Sequence, residues 1–170
     1  YLSALLLSRG YRVIGASRDA QTCSFRNLST LGIVDDIERI SMNPADFGSV
    51  IQTLTRIKPD EVYNLSGQSS VALSFDQPVE TLESIVTATL NLLEAIRVLG
   101  AEIRFYNAGS GECFGNTEQP ADELTAFRPR SPYAVSKAAA FWQVANYRQA
   151  YGLHACTGLL FNHESPLRPE

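Results

Sequence analysis

Glu61-Val62-Tyr63-Asn64-Leu65 and Ile103-Arg104-Phe105-Tyr106-Asn107-Ala108 are two strand-like runs separated by a long helical pattern, and that order decides the fold. Lys58-Pro59-Asp60 breaks the chain just before the first run. The pattern between them spans Val79 to Leu99, with Ile85, Leu92, Leu93 and Ile96 on or near one face, and Gly100 stops it. Strands joined through a helix are parallel, because only a long crossover returns the chain to the same end of the sheet.

The same alternation extends outward. Tyr1 to Ser8 reads as a helix end with Leu2, Leu5 and Leu6 on one face, closed at Arg9-Gly10 by a left-handed cap. A strand is expected over Tyr11–Ala16, a polar loop with one helical turn over Ser17–Gly32, and another strand over Ile37–Met42. Asp46 is placed to cap a helix carrying Val50, Ile51 and Leu54. A long helix is expected from Pro132 to Tyr151 and a last strand from Ala155 to Phe161. These elements predict an α/β fold: a doubly wound, Rossmann-like parallel sheet covered on both faces. In the strand order 3-2-1-4-5-6 of that fold, Tyr11–Ala16 corresponds to strand 2 and Glu61–Leu65 to strand 4. The first strand and its glycine-rich loop are then lacking, which predicts a gap between those two strands and a poorly folded, inactive fragment when expressed alone. Residues 1–170 read as a partial dinucleotide-binding domain without a C-terminal substrate domain. Tyr1 is no natural start, since Met42 is the only methionine, so a fragment is expected.

Composition narrows the function classes. Hydrophobic residues make up 45% and charged residues 19% of the 170 residues, a core-forming balance. A net charge of -4 and a pI near 5.2 argue against gripping nucleic acid. No apolar run reaches the roughly 20 residues of a membrane span, and no signal-peptide pattern is present. Cys23, Cys113 and Cys156 are odd in number and widely spaced, as reduced thiols of a cytoplasmic protein are. His154 and His163 have no companions at ligand spacing, so no metal is expected.

In a parallel sheet, ligands bind outside the carboxyl ends of the strands. Ser131-Pro132-Tyr133-Ala134-Val135-Ser136-Lys137 puts Tyr133 and Lys137 four apart at a helix start, on one face. An ammonium beside a phenol stabilises the phenolate, which predicts a lowered Tyr133 pKa and a base for proton transfer. The alternative is an incidental Tyr and Lys on a helix. Ala108-Gly109-Ser110-Gly111-Glu112 follows a strand and offers a hydroxyl and a carboxylate, or else a plain polar turn. Asn64-Leu65-Ser66-Gly67-Gln68-Ser69 has small residues that would let a cofactor approach the backbone, or else simply ends a strand. Arg18, after Ser17, suits a 2′-phosphate, where a carboxylate would bind ribose hydroxyls; its alternative is a solvated arginine.

Ser131 to Lys137, the Ser110/Glu112 pair and Leu160-Phe161-Asn162-His163-Glu164-Ser165-Pro166 resemble the extended short-chain dehydrogenases/reductases, and within them the GDP-mannose 4,6-dehydratase family. The similarity runs along essentially the whole chain, including Tyr63-Asn64-Leu65, Gln68-Ser69 and Ser74-Phe75-Asp76. The resemblance implies a lyase of nucleotide-sugar metabolism that converts GDP-mannose to its 4-keto-6-deoxy product with a tightly held NADP. Tyr133 would take the sugar O4 proton as hydride leaves C4, with Lys137 holding the ribose. Ser110 would hydrogen-bond O4, and Glu112 would act at C5 and on the departing C6 hydroxyl. Arg18, Asn43, Leu65, Ser66, Gly67, Gln68, Ser69, Tyr133, Lys137, His163 and Arg168 would contact the cofactor, and Ser110, Glu112 and Asn162 the substrate. The implied partner is a small-molecule nucleotide sugar, with no nucleic acid or membrane, and the full-length protein is implied to be a homo-oligomer. The alternatives are a related nucleotide-sugar epimerase or 4-ketoreductase, and a non-catalytic dinucleotide-binding protein. Three stretches depart from the family pattern: Asn43-Pro44 stands for Asp-Leu, Gly109-Ser110-Gly111-Glu112 for Ser-Thr-Ser-Glu, and Arg18-Asp19 for a basic pair.

Overall fold

A computed structural model describes residues 1–167 and resolves two compact units: Tyr1–Asn43 with residues 164–167, and Pro44–His163. In the first unit, helix α1 (Leu2–Ser8) leads to strand β1 (Ile14–Ser17), helix α2 (Arg26–Thr30) and strand β2 (Glu38–Ser41). Gly10, at φ +81°, takes the left-handed position after α1. Its N–H donates to Leu7 O and that of Tyr11 to Leu6 O, which satisfies the last carbonyls of the helix. Because Tyr11 serves this cap, pairing starts only at Ile14, three residues later than the alternation suggests. β1 and β2 are parallel, in register from Ile14↔Glu38 to Ser17↔Ser41.

The second unit begins with helix α3 (Phe47–Ile57), capped as expected by Asp46, whose Oδ1 accepts from Ser49 N at 2.6 Å. Strand β3 (Glu61–Asn64) is followed by helices α4 (Val71–Asp76) and α5 (Pro78–Leu82), a π-helical turn (Glu83–Thr87) and helix α6 (Ala88–Leu99). Strand β4 (Arg104–Ala108), a 3-10 turn (Gly111–Phe114), helix α7 (Pro132–Tyr151) and strand β5 (Ala155–Gly158) complete it. The single helix expected over Val79–Leu99 is therefore one helical run with a widened turn inside it. α4 carries too short a pattern to read: among its six residues only Ser74 is fully buried.

The three strands form a parallel sheet in the order β3-β4-β5, apart from the β1-β2 sheet, with no β1–β3 pairing among the described residues. Asn64 pairs with Asn107, and Asn107 with Thr157, so the carboxyl ends lie at one edge. α3 packs on α6, α6 on α7, and α7 on β5. Phe105, Leu93, Ile96, Val50 and Val144 are fully buried in this core, an α/β arrangement of the kind the alternation predicts. No helix among the described residues is long and apolar enough to cross a membrane.

One polar cluster ties α6 to α7. Arg97 donates twice to Glu94, at 2.8 and 2.5 Å, and Tyr147 Oη donates to Glu94 at 2.9 Å. The Arg97 bonds, then the Tyr147 bond, hold the Glu94 carboxyl down at about 2, against an ordinary 4.5. A depressed carboxyl stabilises the fold above its unfolded pKa and loses that contribution as pH falls through the folded one. Glu94→Gln should therefore melt at a lower temperature than the parent above pH 4.5, and the gap should close between pH 4.5 and about 2. Thermal melts across that range check the sign.

Candidate active site

Three turns leave the carboxyl edge of the β3-β4-β5 sheet: 65–70, 109–114 and 159–163. Ser131 Oγ caps α7 by accepting from Ala134 N at 3.0 Å, with Pro132 in its first turn. This start fixes Tyr133 and Lys137 on one buried face, at 9% and 8% exposure. Lys137 Nζ donates to Ala108 O at 2.8 Å, at the end of β4, and lies 5.8 Å from the centre of the Tyr133 ring.

Ser110 follows two residues later, buried, with its Oγ accepting from Glu112 N at 3.2 Å to start the 3-10 turn. The Ser110 side chain is also close enough to the Tyr133 phenol to pull its pKa down. Glu112 is exposed on the same turn. Hydroxyl, phenol and ammonium are thus brought together as the sequence suggests, with the carboxylate at their rim.

The charge balance differs from the expectation. Burial pushes the Tyr133 phenol above its usual range, and the nearby Ser110 side chain only partly opposes it. Burial likewise lowers the Lys137 ammonium. Helical spacing predicts that the two groups meet, but not that desolvation dominates the shift of each. The sequence marks Cys113 only as a reduced thiol; in the structure it is fully buried, raised by burial and within electrostatic reach of Lys137 and Tyr133. It lies twenty residues from Tyr133 in sequence, so no spacing rule connects them.

The turn after β3 is held from both sides. Asn64 donates to Asn107 Oδ1 at 3.0 Å and to Thr89 Oγ1 at 3.2 Å, and accepts from Ser66 Oγ at 2.6 Å. Gln68 Oε1 accepts from Ser70 N, and its Nε2 donates to Ser70 O at 2.8 Å. Leu65, Gly67 and Ser69 are exposed beside them.

The turns after β4 and β5 are zipped together. Gly109 N donates to Gly158 O and Gly111 N to Leu160 O, both at 2.8 Å, although β5 formally ends at Gly158 rather than Phe161. The Phe161 ring lies on Gly111 and stacks at 12° to Phe114, with centres 6.1 Å apart. Beyond it Asn162 and His163 are exposed, with His163 Nδ1 and Phe161 O 2.8 Å apart.

In the first unit, Arg18 is exposed directly after β1, and Asn43 is exposed after β2. Asp19 turns its carboxylate to the N–H groups of Gln21 and Thr22, at 3.0 and 3.2 Å. Ser17 Oγ is buried and has no hydrogen-bond partner. Arg168 lies outside the described residues.

The pattern of the family described as GDP-mannose 4,6 dehydratase matches residues 1–170. The chain belongs to that family. GDP-mannose 4,6 dehydratase 1 of Arabidopsis thaliana is 46% identical over 180 residues, covering 100% of this chain and 50% of its own length. The chain spans about half the length of the curated relatives it matches. Among solved structures, UDP-glucose 4-epimerase of Thermus thermophilus in complex with NAD aligns at a TM-score of 0.81 and 30% identity, over 92% of this chain and 49% of its own. RMD from Pseudomonas aeruginosa complexed with NADPH aligns at 0.72 and 25%, over 92% and 55%. The resemblance carried by Ser131–Lys137 and Leu160–Pro166 is thereby borne out, and so is the α/β doubly wound fold class.

The two glycines that depart from the family's serines differ in what surrounds them. A Cβ on Gly109 would meet Thr157 Cγ2 at 2.7 Å and Gly158 O at 3.0 Å, both part of the sheet. A Cβ on Gly111 would meet Phe161 at 2.7 Å, a ring 59% exposed and able to swing aside. Gly109→Ser should therefore cost about 1–3 kcal/mol, the usual range for overpacking, and Gly111→Ser clearly less. Urea denaturation of the two variants tests the ranking.

Proposed function

We propose that the full-length protein is a nucleotide-sugar 4,6-dehydratase acting on GDP-mannose, and that residues 1–170 supply part of its dinucleotide-binding domain while a substrate domain lies elsewhere in the protein. The observation that carries the reading is the meeting of Ser110, Tyr133 and Lys137 in one buried cluster with Glu112 on the adjoining turn. The membership in the dehydratase family supports the substrate class.

A nicotinamide dinucleotide fits the residues present. Ser17 Oγ is an orphaned buried polar atom at the end of β1, and Leu65, Ser66, Gly67 and Ser69 are exposed in the turn after β3. In the second unit Leu65–Ser69, Tyr133, Lys137 and His163 would contact it; in the first unit Arg18 and Asn43 are the residues suited to it, and Arg168 is beyond the described residues. Dinucleotides occupy two solved relatives, NAD in one and NADPH in the other. When bound, a nicotinamide dinucleotide would supply the hydride chemistry at sugar C4 and C6.

The protein's own groups move the protons. Tyr133 takes the O4 proton, so that C4 becomes a ketone, and Ser110 hydrogen-bonds the same oxygen. The ketone acidifies the C5 proton, because the electrons left behind delocalise onto O4. Glu112 removes that proton and delivers it to the C6 hydroxyl, which leaves as water. Lys137 supplies positive charge at the floor of the site and orients the ribose. The second reading, an epimerase, draws on the Thermus thermophilus neighbour. Glu112 favours the dehydratase, since elimination needs a carboxylate and simple reduction at C4 does not. The reading extends to a cytoplasmic homo-oligomer, the compartment being supported by three free cysteines.

Glu112→Gln in the full-length enzyme should still oxidise C4 while failing to release water, whereas Tyr133→Phe should block oxidation itself. Rapid-mixing absorbance of the reduced nicotinamide separates the two. Normal turnover of Glu112→Gln to the 4-keto-6-deoxy product would overturn the assignment.

The cofactor is NADP rather than NAD in this reading. Ser17 offers no carboxylate to repel a 2′-phosphate, Asp19 is engaged by its own turn, and Arg18 can pair with phosphate through charge-assisted bonds. Arg18→Ala should weaken NADP binding much more than NAD binding. Equal losses in paired titrations would show that Arg18 does not read the phosphate.

A further inference from the structure

The helical run between β3 and β4 widens into a π-helical turn at Glu83–Thr87. Such turns insert an extra residue and often mark functional sites. Two consecutive residues of this one face different parts of the candidate site. Ser84 Oγ accepts from Gln68 N at 3.2 Å and donates to Thr81 O at 3.2 Å. Ile85, 2% exposed, packs in one cluster with Tyr133 and Ala140, with Val71 against it.

The turn after β3 sits directly on this pair. Gly67, at φ +113°, comes so close that a Cβ there would lie 2.9 Å from Ile85 Cγ1 and 3.1 Å from Ser84 O. A second tie runs through the core: Thr89 Oγ1 donates to Ile85 O at 2.7 Å and accepts from Asn64 Nδ2 at 3.2 Å. Ile85 thus lies against the Gly67 turn and shares a buried cluster with Tyr133, and Ser84 fixes the backbone of that turn at Gln68.

We infer that the π-helical turn is a positioning element, in which Ser84 sets the dinucleotide-binding turn and Ile85 transmits its position to the Tyr133 phenol. The inference rests on the proposed dehydratase reading. Neither Ser84 nor Ile85 is a catalytic residue; each acts through a neighbour. Loss of the Ser84 bond frees the Gln68 amide and loosens the Gly67 turn. Loss of packing at Ile85 lets water reach Tyr133 and relieves the burial that holds its phenol up.

The test uses the full-length enzyme, with NADP and NAD titrated calorimetrically and GDP-mannose turnover followed against pH. The parent is measured first: if it binds neither dinucleotide, the dehydratase reading itself falls. Given a competent parent, Ser84→Ala should weaken the preferred dinucleotide about three- to tenfold, the usual worth of one hydrogen bond. Ser84→Thr, which keeps the hydroxyl, should restore most of it. Ile85→Val, a one-methyl change that keeps the fold, should move the limb on which Tyr133 ionises toward lower pH. A dissociation constant for Ser84→Ala within measurement error of the parent, or a superimposable pH profile for Ile85→Val, would overturn the inference and leave the dehydratase reading intact.

Discussion

Parallel pairing of β3, β4 and β5 is the constraint on which the rest of this unit depends. A parallel neighbour can be reached only through a crossover, so each strand is followed by a turn at the same edge and then a returning helix. The register places Asn64, Asn107 and Thr157 side by side. Ser110, two residues beyond the end of β4, and the Leu65–Ser69 turn are delivered to one edge by this geometry. Tyr133 and Lys137 arrive there because α7 begins its return from that edge.

The same edge concentrates buried polar groups, which a core tolerates only when they are satisfied. Asn64 meets that demand through Asn107, Thr89 and Ser66, and so joins strand, neighbour, helix and turn in a single side chain. Lys137 meets it through Ala108 O. Asn107 Nδ2, Thr157 Oγ1 and, in the first unit, Ser17 Oγ remain buried without partners. Such groups cluster at sites that trade stability for function. The raised phenol of Tyr133 and the lowered ammonium of Lys137 have the same origin, desolvation at the sheet edge.

The departures from the family pattern around Ser110 also have a local physical account. Gly109 and Gly111 allow the turns after β4 and β5 to hydrogen-bond at alternate residues, Gly158 and Leu160, and let Phe161 lie flat over the backbone. With a serine at either position the same approach would require a neighbour to move. Phe161, stacked on Phe114, fills the space that a side chain on Gly111 would occupy.

By itself the sequence determined what depends on neighbours in the chain. The α7 boundaries follow from the Ser131 cap, Pro132 and Gly152, and the Asp46 cap and the Gly10 stop are equally local. The meeting of Tyr133 with Lys137 needs only helical spacing, and the order of strands and helices needs only periodicity. Tertiary structure alone decided the rest. The limit of β5 moved because a strand ends where its partner does, at Gly158 opposite Ala108. The long helix acquired its π turn where Gly67 and Tyr133 press on Ser84 and Ile85, residues remote in sequence. The direction of the Tyr133 shift depends on how many atoms displace water around the phenol, and no spacing of residues along a chain encodes that burial.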